Sequence, residues 1–312
     1  MELRVSGDRP PSGAVRPSVV IASFREPETL FRCVASLEAQ CRVLGAELIV
    51  ARAGDAEDLA HVRARLPWAT VLAAPAGARI PYLRGLGIGA AQGHPVAVTE
   101  DHCLAAPDWL EQMVDQMTEG YDLVGGGMAN LPGSSIIDWA AYLADYGFYS
   151  FARPPLPAGA LPLITAANAA YSRRVAADVA AWALAGAWED VVHNRLAEQG
   201  RGHRFVPGAR VFHAYHYQFG AFWRNRYSHG YDYGRSRLAE PPHPPRVVLL
   251  GMTPLLPIVL AWRISRSAAG EDLWAFARAL PIMLAFLTGW AAGEVAGYLA
   301  GADQAIRQPA AG

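Results

Sequence analysis

The chain has 312 residues, of which 52% are hydrophobic and 18% charged, with a formal net charge of -1. This length suits one large α/β domain with an appendage, or two modest domains, and the composition argues against disorder. Nothing in the overall charge indicates a nucleic-acid-binding protein, and all the positive charge is arginine because the sequence contains no lysine.

The cysteines and the N-terminus predict a cytosolic first domain. Cys33 and Cys41 fall on one predicted helix, about 12 Å apart at about 1.5 Å per residue, which is too far for a disulfide. Together with Cys103 they fit a reducing compartment. The segment 1–16 is polar and rich in Pro, Gly and Arg, so we expect a flexible N-terminus without a signal peptide.

Strand and helix patterns alternate along the first half. Helical spacing of apolar residues follows the first strand, and Pro107 precedes another helical pattern. Strands alternating with helices imply a parallel sheet covered on both faces, with ligands at the carboxyl ends of its strands. The predicted strands are 18–23, 46–51, 69–73 and 95–99, and the intervening helices include 27–41 and 82–92.

The second half is less regular. The segment 121–127 predicts a strand ending in a glycine turn, 161–174 a strand and loop entering a helix, and 203–213 a hairpin.

Two apolar segments near the C-terminus indicate membrane contact. Ala279–Ala300 has the length needed to span a bilayer, whereas Val247–Trp262 is shorter and contains two prolines. Three interpretations stay open: buried helices of a soluble domain, a membrane-spanning hairpin, or a pair that inserts shallowly.

The sequence TEDHC (99–103) directly follows a predicted buried strand. Glu100 and His102 are two residues apart, so they point the same way in an extended chain. Their oxygen and nitrogen ligands suit Mn²⁺ or Mg²⁺ bridging a diphosphate. The alternative is a solvated acidic turn.

A second acidic pair, Glu189 and Asp190, precedes a predicted helix in AWEDVVHNRL (187–196). One interpretation is a general base that deprotonates an acceptor hydroxyl. The other is that both carboxylates only interact with the helix dipole.

The segment 215–237 is rich in aromatic residues and arginine. It fits either an amphipathic helix in the headgroup region or a helix that closes the domain. Arg224 and Arg226 are candidates for binding an acceptor phosphate, and Trp188 is a further candidate acceptor residue.

Six segments, in this order, resemble the characteristic motifs of the family 2 glycosyltransferases, over about residues 17–235. They are VVIASFREPETL (19–30), LRGLGIGAAQG (83–93), VTEDHCLAAPDWLE (98–111), TAANAAYSRR (165–174), WEDVVHNRLAEQG (188–200) and FVPGARVFH (205–213).

The resemblance implies a GT-A fold and an inverting sugar transfer from a nucleotide-sugar donor. It also implies roles by position. Ser23, Phe24 and Glu26 would border the nucleoside. Arg84 would lie near the diphosphate or the base, and Asp101 would belong to the metal and ribose site. Glu100 and His102 would hold the metal, with His213 as a further ligand. Asp190, with Glu189 beside it, would be the catalytic base.

The sequence departs from the family pattern at three places. Glu-Asp-His (100–102) replaces the usual Asp-x-Asp. The replacement resembles the Asp-x-His variant of polypeptide N-acetylgalactosaminyltransferases. Arg52 and Ala53 stand where an acidic residue often reads uracil, so the base stays open. Gly85 stands where an asparagine is frequent.

The sequence therefore predicts a membrane-associated glycosyltransferase with its catalytic domain on the cytoplasmic side. We expect a GT-A domain over 17–240, hydrophobic helices over 241–312, and a lipid-linked or other membrane-proximal acceptor. A nucleotidyltransferase of similar fold and a non-catalytic membrane-anchored homologue are the alternatives.

Overall fold

The computed structural model describes residues 16–154, 160–239, 243–268 and 271–302. Except for Arg16, the predicted N-terminal segment 1–16 lies outside the described residues, as does the C-terminal end from 303 onward.

A single mixed sheet forms the centre of the described chain. Its strand order is β3-β2-β1-β4-β7-β6-β8-β5. The first four strands are parallel to one another, and β7 is antiparallel to both of its neighbours. This arrangement confirms the predicted α/β class. The strands are β1 Ser18–Ser23, β2 Glu47–Ala53, β3 Thr70–Ala74, β4 Val96–Glu100, β5 Cys103–Ala105, β6 Leu123–Asn130, β7 Asn168–Tyr171 and β8 His203–His213.

Helices cover the sheet because their apolar residues recur at helical spacing. In α1, Leu30, Val34, Leu37 and Cys41 are buried as predicted, and Gly45 ends the helix with φ 61°. The helices are α1 Pro27–Leu44, α2 Ala56–Arg65, α3 Ile80–Ala90, α4 Trp109–Thr118, α5 Ile136–Tyr146, α6 Arg173–Leu184, α7 Glu189–Glu198, α8 Phe219–Ala239, α9 Arg246–Met252, α10 Leu256–Ser267 and α11 Glu271–Ala300.

Two predictions for the second half were wrong: the glycines 125–127 lie inside β6 rather than in a turn that ends it, and the predicted hairpin at 203–213 is a single strand. The strand expected within 161–174 is confined to its later part, 168–171, and a helix follows it as predicted. Both halves of β8 pair with β6, across a register shift between Gly126 and Met128. The Pro-Gly pair at 207–208 therefore lies in a bulge rather than in a turn.

The backbones of α8 and α11 touch through glycines. A Cβ on Gly293 would lie 2.0 Å from the carbonyl oxygen of Tyr227, and one on Gly297 would lie 2.3 Å from that of Tyr231. From the other helix, a Cβ on Gly230 would lie 2.2 Å from the carbonyl oxygen of Trp290. No side chain fits at these positions, so α8 packs against α11 as a helix that closes the domain.

The two C-terminal apolar segments form three helices. The segment 246–267 contains α9 and α10, joined by a 3-10 turn at Thr253–Leu255, and α10 packs against α11. Both Arg246–Ser267 and Asp272–Ala300 are long and apolar enough to cross a membrane, which by itself is weak support for spanning.

We expect Gly293→Ala to destabilise the protein by about 1–3 kcal/mol, because its methyl group has no space beside Tyr227. The matched control is Gly251→Ala in α9, where a Cβ meets nothing within 4 Å. That change should be neutral or stabilising by up to about 1 kcal/mol, since alanine favours helix. Denaturant unfolding of both variants measures the difference, and equal effects would contradict the close helix contact.

Candidate active site

Two adjoining cavities lie at the carboxyl ends of the central strands. One, of about 350 Å³, is lined by Phe24 after β1, Ala53 at the end of β2 and the loop 76–80. The other, of about 320 Å³, is lined by Glu100 at the end of β4 and by residues of α5, α7, α8, α10 and α11. Ile80, Trp188 and His229 line both, so the two form a continuous site. After the roles that the sequence analysis predicts for Phe24 and Asp190, we call them the nucleoside cavity and the transfer cavity.

A buried guanidinium organises the transfer cavity. Arg84 Nη1 donates to Glu189 Oε2 at 2.7 Å, and Arg84 Nη2 donates to Glu100 Oε1. Burial favours a neutral carboxyl, but the adjacent guanidinium outweighs it and holds the pKa of Glu189 below its usual value. Arg84 therefore joins α3, β4 and α7 through two charged pairs. Its Nε has no hydrogen-bond partner among the described residues.

Asp101 lies under the loop that follows β1. Its Oδ2 accepts hydrogen bonds from the backbone N–H of Phe24 at 2.6 Å and of Arg25 at 2.8 Å, and from the Ser23 hydroxyl at 3.0 Å. Burial would raise the pKa of Asp101, but His102 and these backbone donors lower it. Asp101 and Ser23 are fully buried and line neither cavity, so they anchor the loop that carries Phe24 rather than facing the nucleoside cavity, as their predicted roles would require.

The predicted metal ligands lie side by side but are not arranged around an open space. Glu100 Oε2 is 3.5 Å from His102 Nε2, as the two-residue spacing predicts. The rings of His102 and His213 are 5.3 Å apart. His213 has a buried Nδ1 without a hydrogen-bond partner among the described residues, whereas Nδ1 of His102 lies 3.5 Å from Asp101 Oδ1. Burial, with His102 and Arg25 nearby, lowers the pKa of His213 well below its usual value.

These donors fit a divalent metal in type. Carboxylate oxygen with imidazole nitrogen suits Mn²⁺, and a neutral imidazole is the form that binds metal. In the part of the chain that the structure describes, however, no group of three His, Cys, Asp or Glu residues is placed to hold an ion. Glu100 also pairs with Arg84, so an ion bound there would compete with that guanidinium.

Trp188, Glu189 and Asp190 enter the transfer cavity from the start of α7. Trp188 is the N-cap residue, and its buried indole Nε1 has no hydrogen-bond partner among the described residues. Asp190 is an exposed residue of the cavity wall, and Glu189 is tied to Arg84. The structure thus brings the predicted base into one cavity with Glu100.

Arg52 is turned away from the nucleoside cavity. Its Nε and Nη2 donate to Asp58 at 2.8 and 2.7 Å, and its Nη1 donates to the Ser23 hydroxyl at 2.8 Å. The guanidinium is buried, so it supports the β1–α1 loop where an acidic residue was expected to read the base. Glu26 is exposed beside Tyr215 and lines neither cavity.

The far wall of the transfer cavity comes from the C-terminal helices. Arg226 pairs with Asp145 and lies over the ring of Trp290, 4.3 Å from its centroid. Arg263 lies over Phe148 at 5.2 Å and, among the described residues, forms no ion pair. Arg224, the other predicted phosphate ligand, is exposed and lines neither cavity.

Several lining residues were missed by the sequence analysis. Asp145 lies in the last turn of α5 and Tyr149 follows that helix, whose start carries a Ser-x-x-Asp capping box at Ser135 and Asp138. That box is a recognisable helix signal. Nothing local in the sequence marks Trp290 as a cavity residue, because it lies within an apolar run.

Residues 18–180, just over half of the chain, match the sequence model of glycosyl transferase family 2. The chain belongs to glycosyl transferase family 2. The match ends within α6, so α7 and the helices after it lie beyond it. No curated protein matches the chain.

Among solved structures, the chain is similar to the mannosyltransferase PcManGT from Pyrobaculum calidifontis in complex with GDP-Man and Mn²⁺. The identity is 15%, the match covers 90% of this chain and 87% of that one, and the TM-score is 0.50. This likeness bears on the fold alone, and it agrees with the predicted GT-A arrangement.

We expect Asp101→Asn to cost about 1–3 kcal/mol of stability, because a neutral amide oxygen replaces the charged carboxylate that accepts hydrogen bonds from two backbone N–H groups and the Ser23 hydroxyl. Nucleotide affinity should fall as well, since the loop carrying Phe24 loses its anchor. Asp115→Asn on the exposed side of α4 is the control. Thermal unfolding and nucleotide titration measure both effects, and an Asp101→Asn variant indistinguishable from Asp115→Asn would contradict this role.

Proposed function

We propose that this glycosyltransferase moves one sugar, with inversion, from a nucleotide diphosphate donor to a lipid-linked or other membrane-proximal acceptor. The observation that carries the proposal is the joining of two cavities. The nucleoside cavity begins at Phe24, and the transfer cavity holds Glu100 and Asp190 together.

Inversion requires a single displacement at the anomeric carbon. The acceptor hydroxyl oxygen forms the new bond, the bond to the donor diphosphate breaks, and the hydroxyl proton goes to a base. Asp190 is our candidate for that base, since it is an exposed carboxylate of the cavity wall. Trp188 offers an unpaired indole N–H to the substrate, and Arg84 supplies positive charge near the leaving diphosphate.

A divalent ion, Mn²⁺ or Mg²⁺, is part of the proposal. Glu100 and His102 would hold it, with His213 as a further ligand, and it would neutralise charge on the departing diphosphate. The closeness of Glu100 Oε2 to His102 Nε2, at 3.5 Å, supports this assignment. PcManGT was solved with GDP-Man and Mn²⁺, which makes GDP-sugars with manganese a sensible first pair to test.

The acceptor side of the proposal follows from the C-terminal wall. Arg263 reaches the transfer cavity from α10, and the neighbouring Trp262 is exposed on the outer surface of the same helix. A guanidinium suits an acceptor phosphate, and an exposed apolar helix surface suits its lipid. We further propose that the catalytic domain lies on the cytoplasmic side.

We expect Asp190→Asn to lower kcat by about 10²–10⁴-fold while donor affinity stays unchanged, because the amide cannot take the proton. Glu198→Gln is the control, since this exposed carboxylate is on the same helix but outside both cavities. Nucleotide release and product NMR at the anomeric carbon measure rate and configuration. Wild-type turnover by the Asp190→Asn variant would exclude Asp190 as the base. A product with retained anomeric configuration would exclude the single displacement. Release of pyrophosphate would indicate a nucleotidyltransferase.

We expect Glu100→Gln and His102→Ala to weaken manganese-dependent donor binding. A thermal-shift screen of UDP, GDP and dTDP sugars, with manganese or with chelator, measures it, because a ligand present at about 100 Kd stabilises the folded state by about 2.7 kcal/mol. Glu111→Gln and His61→Ala, both exposed, are the matched controls. Equal stabilisation of the wild type with manganese and with chelator would contradict the metal site.

A further inference from the structure

The outer surface of α9 and α10 is apolar and has no partner among the described residues. Val247 is 74% exposed, Ile258 67% and Trp262 59%. The inner side of the same helices is buried, with Leu249, Ala261 and Ile264 packed inward. We call the exposed surface the outer face; it consists of Val247, Val248, Met252, Leu255, Ile258, Val259 and Trp262.

Arginines border the outer face. Arg246 lies at its beginning, and Arg263 and Arg266 lie at its end. Trp262 stands beside them, and Trp274 is exposed at the start of α11. Arginine and tryptophan flanking an apolar helix face are typical of a helix at the interface of an anionic bilayer. This charge pattern favours an anionic phospholipid surface as the partner.

Three features prevent α11 from being surrounded by lipid. Its glycines lie against the backbone of α8, as at Gly293 and Tyr227. Helix α8 carries Arg224, Arg226 and several other charged residues, so it does not belong in hydrocarbon. Trp290, near the middle of the apolar stretch of α11, lines the cavity that contains Asp190. A membrane-spanning α11 would place that charged cavity in the bilayer core.

We infer that α9 and α10 lie in the plane of an anionic phospholipid bilayer, inserted through the outer face, and that α11 is a core helix which does not cross the membrane. Apolar length alone does not separate a helix that spans the membrane from one that lies on its surface. The exposed outer face and the contacts of α11 with α8 do separate them. The inferred orientation places Arg263, at the wall of the transfer cavity, at the level of the lipid headgroups.

Sidedness of labelling tests the inference in inverted membrane vesicles from cells that express the full chain. Ala268→Cys marks the end of α10, and Ala64→Cys on exposed α2 marks the catalytic domain. Burial raises the pKa of all three native thiols, so Cys33, Cys41 and Cys103 contribute little background. We expect both new cysteines to react with a membrane-impermeant maleimide before detergent is added. Reaction of Ala268→Cys only after detergent would show spanning and overturn the inference.

Depth measurement gives a second test with purified protein on vesicles of phosphatidylethanolamine and phosphatidylglycerol. Spin labels at Val247→Cys and Ile258→Cys should report similar, shallow depths from their relative accessibility to oxygen and to a soluble nickel chelate. A spanning segment would place the label at 258 far deeper than the one at 247. Labels as exposed to water as one at Ala64→Cys would show that the outer face does not bind the bilayer. Neither test uses activity, so its outcome is independent of the proposed transfer reaction.

Discussion

The ion pairs of Arg84 hold the transfer cavity together, since this one guanidinium joins elements far apart in the sequence. Leaving one partner of a buried charge pair alone costs about 3–5 kcal/mol, so β4 must end with Glu100 and α7 must begin with Glu189 beside it. Successive residues of a helix are about 100° apart around its axis. Fixing Glu189 on Arg84 therefore also fixes the direction of Asp190, which reaches the same cavity.

The triplet Glu100, Asp101 and His102 serves two sides of the site because β4 ends at Glu100 and the next two residues form a turn before β5. Glu100 and His102 lie together at 3.5 Å, while Asp101 between them points under the β1–α1 loop and anchors Phe24. Arg52 reinforces the same loop through Ser23. The three residues thus supply both a structural anchor, Asp101, and a candidate pair of metal ligands, Glu100 and His102.

Features encoded locally were predictable from the sequence, and features that depend on distant partners were not. Apolar runs gave β1 and β4 nearly to the residue. Glu100 and His102 do lie together, but through a turn at 101–102 rather than through the alternation of an extended chain. The hairpin prediction for β8 failed because both halves pair with β6, which local sequence does not reveal. Hydropathy likewise reports how apolar α11 is, but not that Gly293 lies against the backbone of α8.

The family match covers only part of the lining of each cavity. Phe24, Arg84 and Glu100 belong to the matched part of the chain. Trp188 and His229, which line both cavities, lie after the match ends, as do Asp190 and the wall containing Trp290. Since the far wall is built by helices whose outer face is apolar, the residues proposed to meet the acceptor and those proposed to contact a lipid surface belong to one packed unit. Acceptor choice and membrane contact are therefore expected to change together when these helices are altered.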